Sequence, residues 1–199
     1  MKIENYKFKS YSIKKVFRNN LSILSYLFCL ATPEYCKIFK STGGNLKKFI
    51  NSIINKPNTE LENFVTIEKS NKIIGFCSGY PSSEIAQRQL KTILIMRNFI
   101  NIKKRKFLIK KIKNKIDLLP PVNKKSFYIS RNAILPRYHG IGAGKILLKE
   151  ICKKHLNFNL ISIHVKNSNK IAKNFYQIQK FKKVTNKNHY SLYIKHLKK

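Results

Sequence analysis

The spacing of apolar residues changes several times along the chain, and each change marks an element. Residues 7–17 alternate loosely and predict a first strand. Residues 20–30 and 34–40 carry helical spacing broken at Thr32-Pro33, because proline lacks the N–H a helix interior needs. Gly43-Gly44 marks a turn, Leu46–Ile54 a short helix and Lys56-Pro57-Asn58 a loop. Phe64–Glu68 and Lys72–Tyr80 are strand-like runs around Lys69-Ser70-Asn71, a hairpin signature that ends at Tyr80-Pro81-Ser82-Ser83.

Residues 84–118 return to helical spacing and close at Leu118-Leu119-Pro120-Pro121. Phe127–Leu135 reads as a strand, followed by a glycine-rich turn and a helix from Gly142 to His155. Leu160–Val165 is a further strand, Asn169–Gln179 a further helix, and Phe181–Val184 with Tyr190–Ile194 a final strand pair. This alternation predicts a mixed α/β (α+β) architecture. At 199 residues and 43% hydrophobic, the chain can bury a sizeable core, which argues against disorder and predicts one domain over 1–199.

Charge complicates this picture. Lys and Arg number 42 against 8 Asp and Glu, a formal net charge of +34. Such a field attracts RNA, DNA or an acidic membrane surface at low salt. Yet 36 of the 42 basic residues are Lys, and Asn occurs 21 times, the joint excess an AT-rich genome produces. Arg is the better fork for phosphate, and it is scarce. Most of the charge is therefore read as compositional bias, and any nucleic-acid binding as non-specific. The densest stretch runs from Lys103 to Lys115, with Phe107, Leu108, Ile109 and Ile112 interleaved. It reads as an amphipathic helix with a solvated face, the alternative being a cationic surface for an acidic partner.

Cys29, Cys36, Cys77 and Cys152 form no C-x-x-C pair, and no His stands at a zinc spacing. The expectation is reduced thiols in a cytoplasmic protein and no metal. Leu21–Ala31, the most apolar run, follows Lys14, Lys15 and Arg18 in the order of a signal peptide. It starts after a strand-like stretch, carries Ser22, Ser25 and Tyr26, and is too short to span a bilayer. A buried amphipathic helix is expected there, and no membrane span.

The candidate chemistry lies in Leu135-Pro136-Arg137-Tyr138-His139-Gly140-Ile141-Gly142-Ala143-Gly144-Lys145, between a strand and a helix. Orphan N–H groups at a helix start and the helix dipole favour an anion, and glycines let backbone approach it. A Walker loop needs four residues between its glycines and a hydroxyl after the lysine. Gly140 to Gly144 is one residue short, and Ile146 stands at the hydroxyl position. A dinucleotide fold needs G-x-G-x-x-G and an acid after the next strand, and neither is present.

Arg137-Tyr138-His139-Gly140-Ile141-Gly142 instead resembles [RQ]-x-x-G-x-[GA], the acyl-CoA pyrophosphate loop of the GNAT superfamily of N-acetyltransferases. Asn169-x-x-Ala172-x-x-Phe175-Tyr176, followed by Phe181, resembles that superfamily's second signature, N-x-x-A-x-x-[FL]-Y-x-x-x-G-F. Asn169, Ala172 and Tyr176 share one helix face. Lys180 departs from the pattern by standing where the family has a C-capping glycine.

The resemblance implies a GNAT fold: a mixed central sheet of about six to seven strands flanked by helices. The 84–118 segment would be a basic helical insertion before the fourth strand, and 127–184 the acyl-CoA-binding core. It further implies acetyl-CoA as co-substrate, an amine acceptor, and a monomer or homodimer. Backbone near Ile134 and Leu135, the loop from Arg137 through Lys145, and Asn169, Ala172 and Tyr176 would hold the co-substrate. Tyr176 would act as general acid toward the departing thiolate. The general base stays open among Glu34, Glu84 and His164. A non-catalytic nucleic-acid-binding protein on the same fold and a transferase of longer acyl groups are the competing functions.

Overall fold

The computed structural model describes residues 7–10, 17–54, 56–105 and 119–197. The predicted strand over 7–17 begins as β1 (Lys7–Ser10), and residues 11–16 lie outside the described residues. Helix α1 (Phe17–Ala31) ends where Pro33 opens α2 (Pro33–Thr42) at its first turn, a position that needs no N–H. Gly43, at φ 63, closes α2 in the left-handed conformation, and Asn45 accepts from Lys48 N at 2.9 Å to start α3 (Leu46–Ile54).

Strands β2 (Phe64–Lys69) and β3 (Lys72–Pro81) form the predicted hairpin. Its turn is the pair Ser70-Asn71, both at positive φ, which matches the twist of the flanking strands. Helix α4 (Ile85–Met96) covers only the start of the predicted insertion and gives way to short 3-10 turns at Arg97–Phe99 and Ile102–Lys104. The rest of the basic stretch, 106–118, lies outside the described residues. Then come β4 (Phe127–Ile134), α5 (Ala143–Lys154), β5 (Leu160–Lys166), α6 (Lys170–Ile178), β6 (Lys182–Lys187) and β7 (Tyr190–His196).

Among the described residues seven strands form one mixed sheet in the order β1-β2-β3-β4-β5-β7-β6, in which β4 and β5 pair in parallel. One face carries α1 to α4, where Leu27, Phe28, Phe49, Ile53 and Met96 are buried. The other face carries α5 and α6, where Ile67, Ile129, Leu147, Ile161 and Tyr193 are buried. Burial at Leu147, Leu148 and Ile151 follows the helical period that the sequence showed.

Two irregularities in β4 shape what lies between the layers. Ser78 and Gly79 of β3 pair with Arg131 and Ile129, so Ser130 is an extra residue, a β-bulge. In plain alternation Tyr128 and Arg131 would face opposite sides, whereas both line one cavity here. Second, β4 pairs with β5 only from Phe127 to Ile129. Beyond the bulge β4 and β5 part, and the β4 backbone from Ser130 onward faces a gap on its β5 side while it stays paired with β3 on the other.

A covalent tie appears where free thiols were expected. Cys29 and Cys36 form a disulfide between α1 and α2, with their Cα atoms 5.5 Å apart. The helix break at Pro33 folds Cys36 back toward Cys29, a juxtaposition residue spacing alone did not reveal. Cys77 and Cys152 are free, the first buried. Among the described residues no helix is long and apolar enough to cross a membrane.

Candidate active site

Two cavities open where β4 and β5 diverge. The larger, about 560 Å³, runs along the end of β4 to the glycine loop and the start of α5. Gly140 and Gly142 hold φ of 80 and 87, and a Cβ on either would meet nothing within 4 Å. The loop thus presents backbone rather than side chain to the cavity. Gly142 is also the N-cap of α5, so the first N–H groups of that helix point there. Gly144 is confined differently, since a Cβ there would lie 3.2 Å from the Phe175 ring of α6.

Among the residues expected to hold the co-substrate, Ile134, Tyr138, His139, Gly140, Gly142 and Ala143 line this cavity. Gly144, Lys145, Asn169, Ala172 and Tyr176 line it too. Three do not. Leu135 is buried in the helical core, Ile141 is exposed, and Arg137 turns its guanidinium over the Tyr138 ring at 5.1 Å. His139 Nε2 donates to the Ile134 carbonyl at 2.9 Å and so braces the strand end against the loop.

The second cavity, about 210 Å³, lies between the α1–α2 corner, β4 and β5. Leu30, Asn132, Asn169, Ala172 and Tyr176 line both cavities and form their junction. Tyr176 is fixed there by the way α6 ends. Lys180 adopts φ 64, its N–H donates to the Gln177 carbonyl at 2.9 Å, and Phe181 N–H donates to the Tyr176 carbonyl at 2.9 Å. This is a Schellman cap, completed by the Phe181 ring against Tyr176 at 5.2 Å. At the other end Asn169 accepts from Ala172 N at 3.0 Å as N-cap. Asn132 Nδ2 donates to the Tyr176 hydroxyl at 2.9 Å, which leaves the phenolic proton free to point elsewhere. Burial holds the Tyr176 phenol above its usual range.

Of the three base candidates, the structure places two at the second cavity. Glu34 lines it and pairs with Lys166, which lines it too. His164 lines it as well, and its Nε2 meets the Pro120 carbonyl at 2.8 Å. A carbonyl only accepts, so Nε2 carries the proton and Nδ1 accepts from the Tyr128 hydroxyl at 3.1 Å. Burial lowers His164 to about 4, against the pull of its bond to Pro120, so the ring is neutral at pH 7. Glu84 lies at neither cavity: the 3-10 turn after β3 directs it to Arg88 Nε at 2.6 Å.

Four site residues escaped the sequence reading as side-chain chemistry: Glu60, Tyr128, Arg131 and Asn132. Glu60 is 1% exposed, and its Oε2 accepts from Arg131 Nη2 at 3.0 Å. The guanidinium carbon of Arg131 lies over the rings of Phe28 and Tyr35 at 5.6 and 5.4 Å. A usable signal existed. In a chain that writes most cations as Lys, an Arg inside an apolar strand marks a place where a planar, stacking cation is required.

A sequence model described as the Acetyltransferase (GNAT) family matches residues 30–181. No curated protein matches the chain. Among solved structures, an N-acetyltransferase from Staphylococcus aureus Mu50 is similar at 13% identity and TM-score 0.65, covering 95% of this chain and 100% of its own. A GNAT family acetyltransferase from Elizabethkingia anophelis, solved with acetyl-CoA bound, is similar at 14% identity and TM-score 0.56, covering 98% and 99%. The PaiA N-acetyltransferase from Thermoplasma acidophilum, in complex with coenzyme A, is similar at 14% identity and TM-score 0.54, covering 96% and 99%.

Proposed function

Because the chain belongs to the GNAT acetyltransferase family, we propose that it moves the acetyl group of acetyl-CoA onto a primary amine by direct attack in a ternary complex. The observation that carries this reading is the meeting of two cavities at Tyr176 and Asn132, one of them ending on a glycine-cradled helix start.

The residues fit such a co-substrate. Gly140, Gly142 and the α5 start offer backbone N–H groups to a pyrophosphate, with Lys145 adding positive charge. The β4 backbone beyond Ser130, unpaired on its β5 side, offers strand-type hydrogen bonds to an extended amide-bearing arm. Acetyl-CoA supplies a thioester whose carbonyl carbon accepts an amine and whose sulfur departs.

Tyr176, its oxygen already accepting from Asn132, donates its hydrogen bond to the departing sulfur. On the other side the Tyr128 hydroxyl takes a proton from the attacking nitrogen while passing its own to His164 Nδ1. The burial that lowers His164 keeps it unprotonated at neutral pH, the state a proton acceptor needs. The Pro120 carbonyl then steadies the ring as it gains charge.

Calorimetric titration of acetyl-CoA at high salt, where a +34 chain no longer holds anions indiscriminately, tests the co-substrate half. Saturable binding that the Gly142→Glu variant loses supports the reading, and absence of binding to the wild type overturns it. Thiol release in the presence of an amine panel tests the transfer half.

A further inference from the structure

Two residues that line the smaller cavity each hold an unmet hydrogen-bonding atom. They are Gln89 and Arg131, 7% exposed each. Gln89 Oε1 and Arg131 Nε are fully enclosed and have no partner among the described residues. Arg131 uses its other nitrogens on the Ser130 carbonyl at 2.7 Å and on Glu60 Oε2 at 3.0 Å. Gln89 lies on α4 one turn before Thr92, whose hydroxyl accepts from Glu60 N at 3.1 Å. Glu60, which bonds both Arg131 and Thr92, lines the same cavity as Gln89. Buried polar atoms left without partners cost free energy, so Arg131 Nε is an unspent donor and Gln89 Oε1 an unspent acceptor.

From this we propose that the acceptor is a small primary amine bearing, at its far end, a neutral group that both accepts and donates a hydrogen bond: a hydroxyl or a carboxamide. This rests on the transferase reading above. The amine end lies at the junction, where Asn132 Oδ1 is a further enclosed acceptor without a partner among the described residues. The tail takes the N–H of Arg131 on its oxygen and gives its own proton to Gln89 Oε1.

Other tails fail on the same atoms. A carboxylate brings a second oxygen without a proton toward Gln89 Oε1 and the Glu60 carboxylate. An ammonium meets the Arg131 guanidinium. An alkyl end leaves both atoms unpaired. The two ion pairs at this cavity, Glu60 with Arg131 and Glu34 with Lys166, are internally balanced. Among the described residues the lining therefore carries no net charge for a charged tail to answer, although the whole chain carries +34.

The test uses the full chain, acetyl-CoA and five amines of one length: aminopentanamide, aminopentanol, aminopentanoate, diaminopentane and pentylamine, each with a terminal amine. The amide or the alcohol is expected to exceed the other three in kcat/KM by at least about tenfold. Gln89→Leu keeps the side-chain volume and removes the acceptor. It should bring the preferred amine down to the level of pentylamine while the KM for acetyl-CoA stays put. Preference for the carboxylate or the diamine, or a ranking that Gln89→Leu leaves intact, overturns the proposal. If none of the five is acetylated, the transferase reading stands or falls on the acetyl-CoA titration, and equilibrium dialysis of aminopentanamide against the CoA-loaded protein decides the tail site. Saturable binding lost in Gln89→Leu upholds that site, and equal or absent binding overturns it.

Discussion

Replacing Tyr176 by Phe removes one oxygen and leaves the ring packed between Phe175 and Phe181. The size of the effect depends on what the hydroxyl supplies. A free thiol has a pKa of about 8.5 and a free phenol about 10, so complete proton transfer from phenol to thiolate is uphill by roughly 2 kcal/mol. Burial raises Tyr176 further and widens that gap. The hydroxyl therefore acts as a hydrogen-bond donor to a developing anion, an interaction of about 1.5–3 kcal/mol. At about 1.4 kcal/mol per decade, kcat in Tyr176→Phe should fall roughly 10- to 150-fold, with little change in the KM for acetyl-CoA. The assay is thiol release under saturating acetyl-CoA near neutral pH. The variant also leaves Asn132 Nδ2 without its acceptor, so a urea midpoint measured alongside should fall by an amount equivalent to about 1–3 kcal/mol. A kcat within about twofold of wild type would refute the reasoning. A loss approaching 10⁴-fold would refute the hydrogen-bond magnitude and restore full proton transfer.

Further expectations concern cofactor, cap, pH and redox state. Gly142→Glu should weaken acetyl-CoA binding by on the order of 100-fold or more in calorimetry, because it sets an anion and a strained left-handed side chain at the α5 start. Lys180→Gly should stabilise the fold by up to about 1 kcal/mol in urea titration with kcat unchanged, since φ 64 strains Lys and not Gly. His164 titrates near 6.5 when unfolded and near 4 when folded, so the unfolded chain takes its proton first as pH falls. Its stabilising contribution is complete above about pH 6.5 and lost toward pH 4, at most roughly 3 kcal/mol, and His164→Gln should flatten that limb of a pH series of denaturation midpoints. Reducing Cys29–Cys36 opens a loop with a sequence separation of 7. It should cost about 2.5 kcal/mol of stability and raise the KM for the amine, because every residue from Leu30 to Tyr35 lines the smaller cavity.

The most legible parts of the chain were those fixed by neighbours in sequence. The loop at Arg137–Lys145 and the helix over Asn169–Gln179 declare themselves because glycine dihedrals, caps and helix faces are local properties. Lys180 shows the same thing in reverse: it stands where the family pattern has a C-capping glycine, and its φ is positive. What stayed hidden depends on distance along the chain. Glu60 and Arg131 are 71 residues apart, and nothing near either one names the other. Cys29 and Cys36 would stand about 10 Å apart along a straight helix, beyond disulfide reach, and only the fold-back at Pro33 joins them. The bulge at Ser130 was invisible because alternation in one strand says nothing about the register of its partner.

That bulge has a consequence for how tightly the co-substrate can be held. Beyond Ser130, β4 and β5 are two halves of an unfinished ladder, and any ligand laid along β4 takes hydrogen bonds that a regular sheet would give to itself. Occupancy of the cleft and closure of the sheet are mutually exclusive outcomes. Removing Ser130 would straighten β4 and let the strands zip. The result would be a more complete sheet and a protein that had healed over its own binding site.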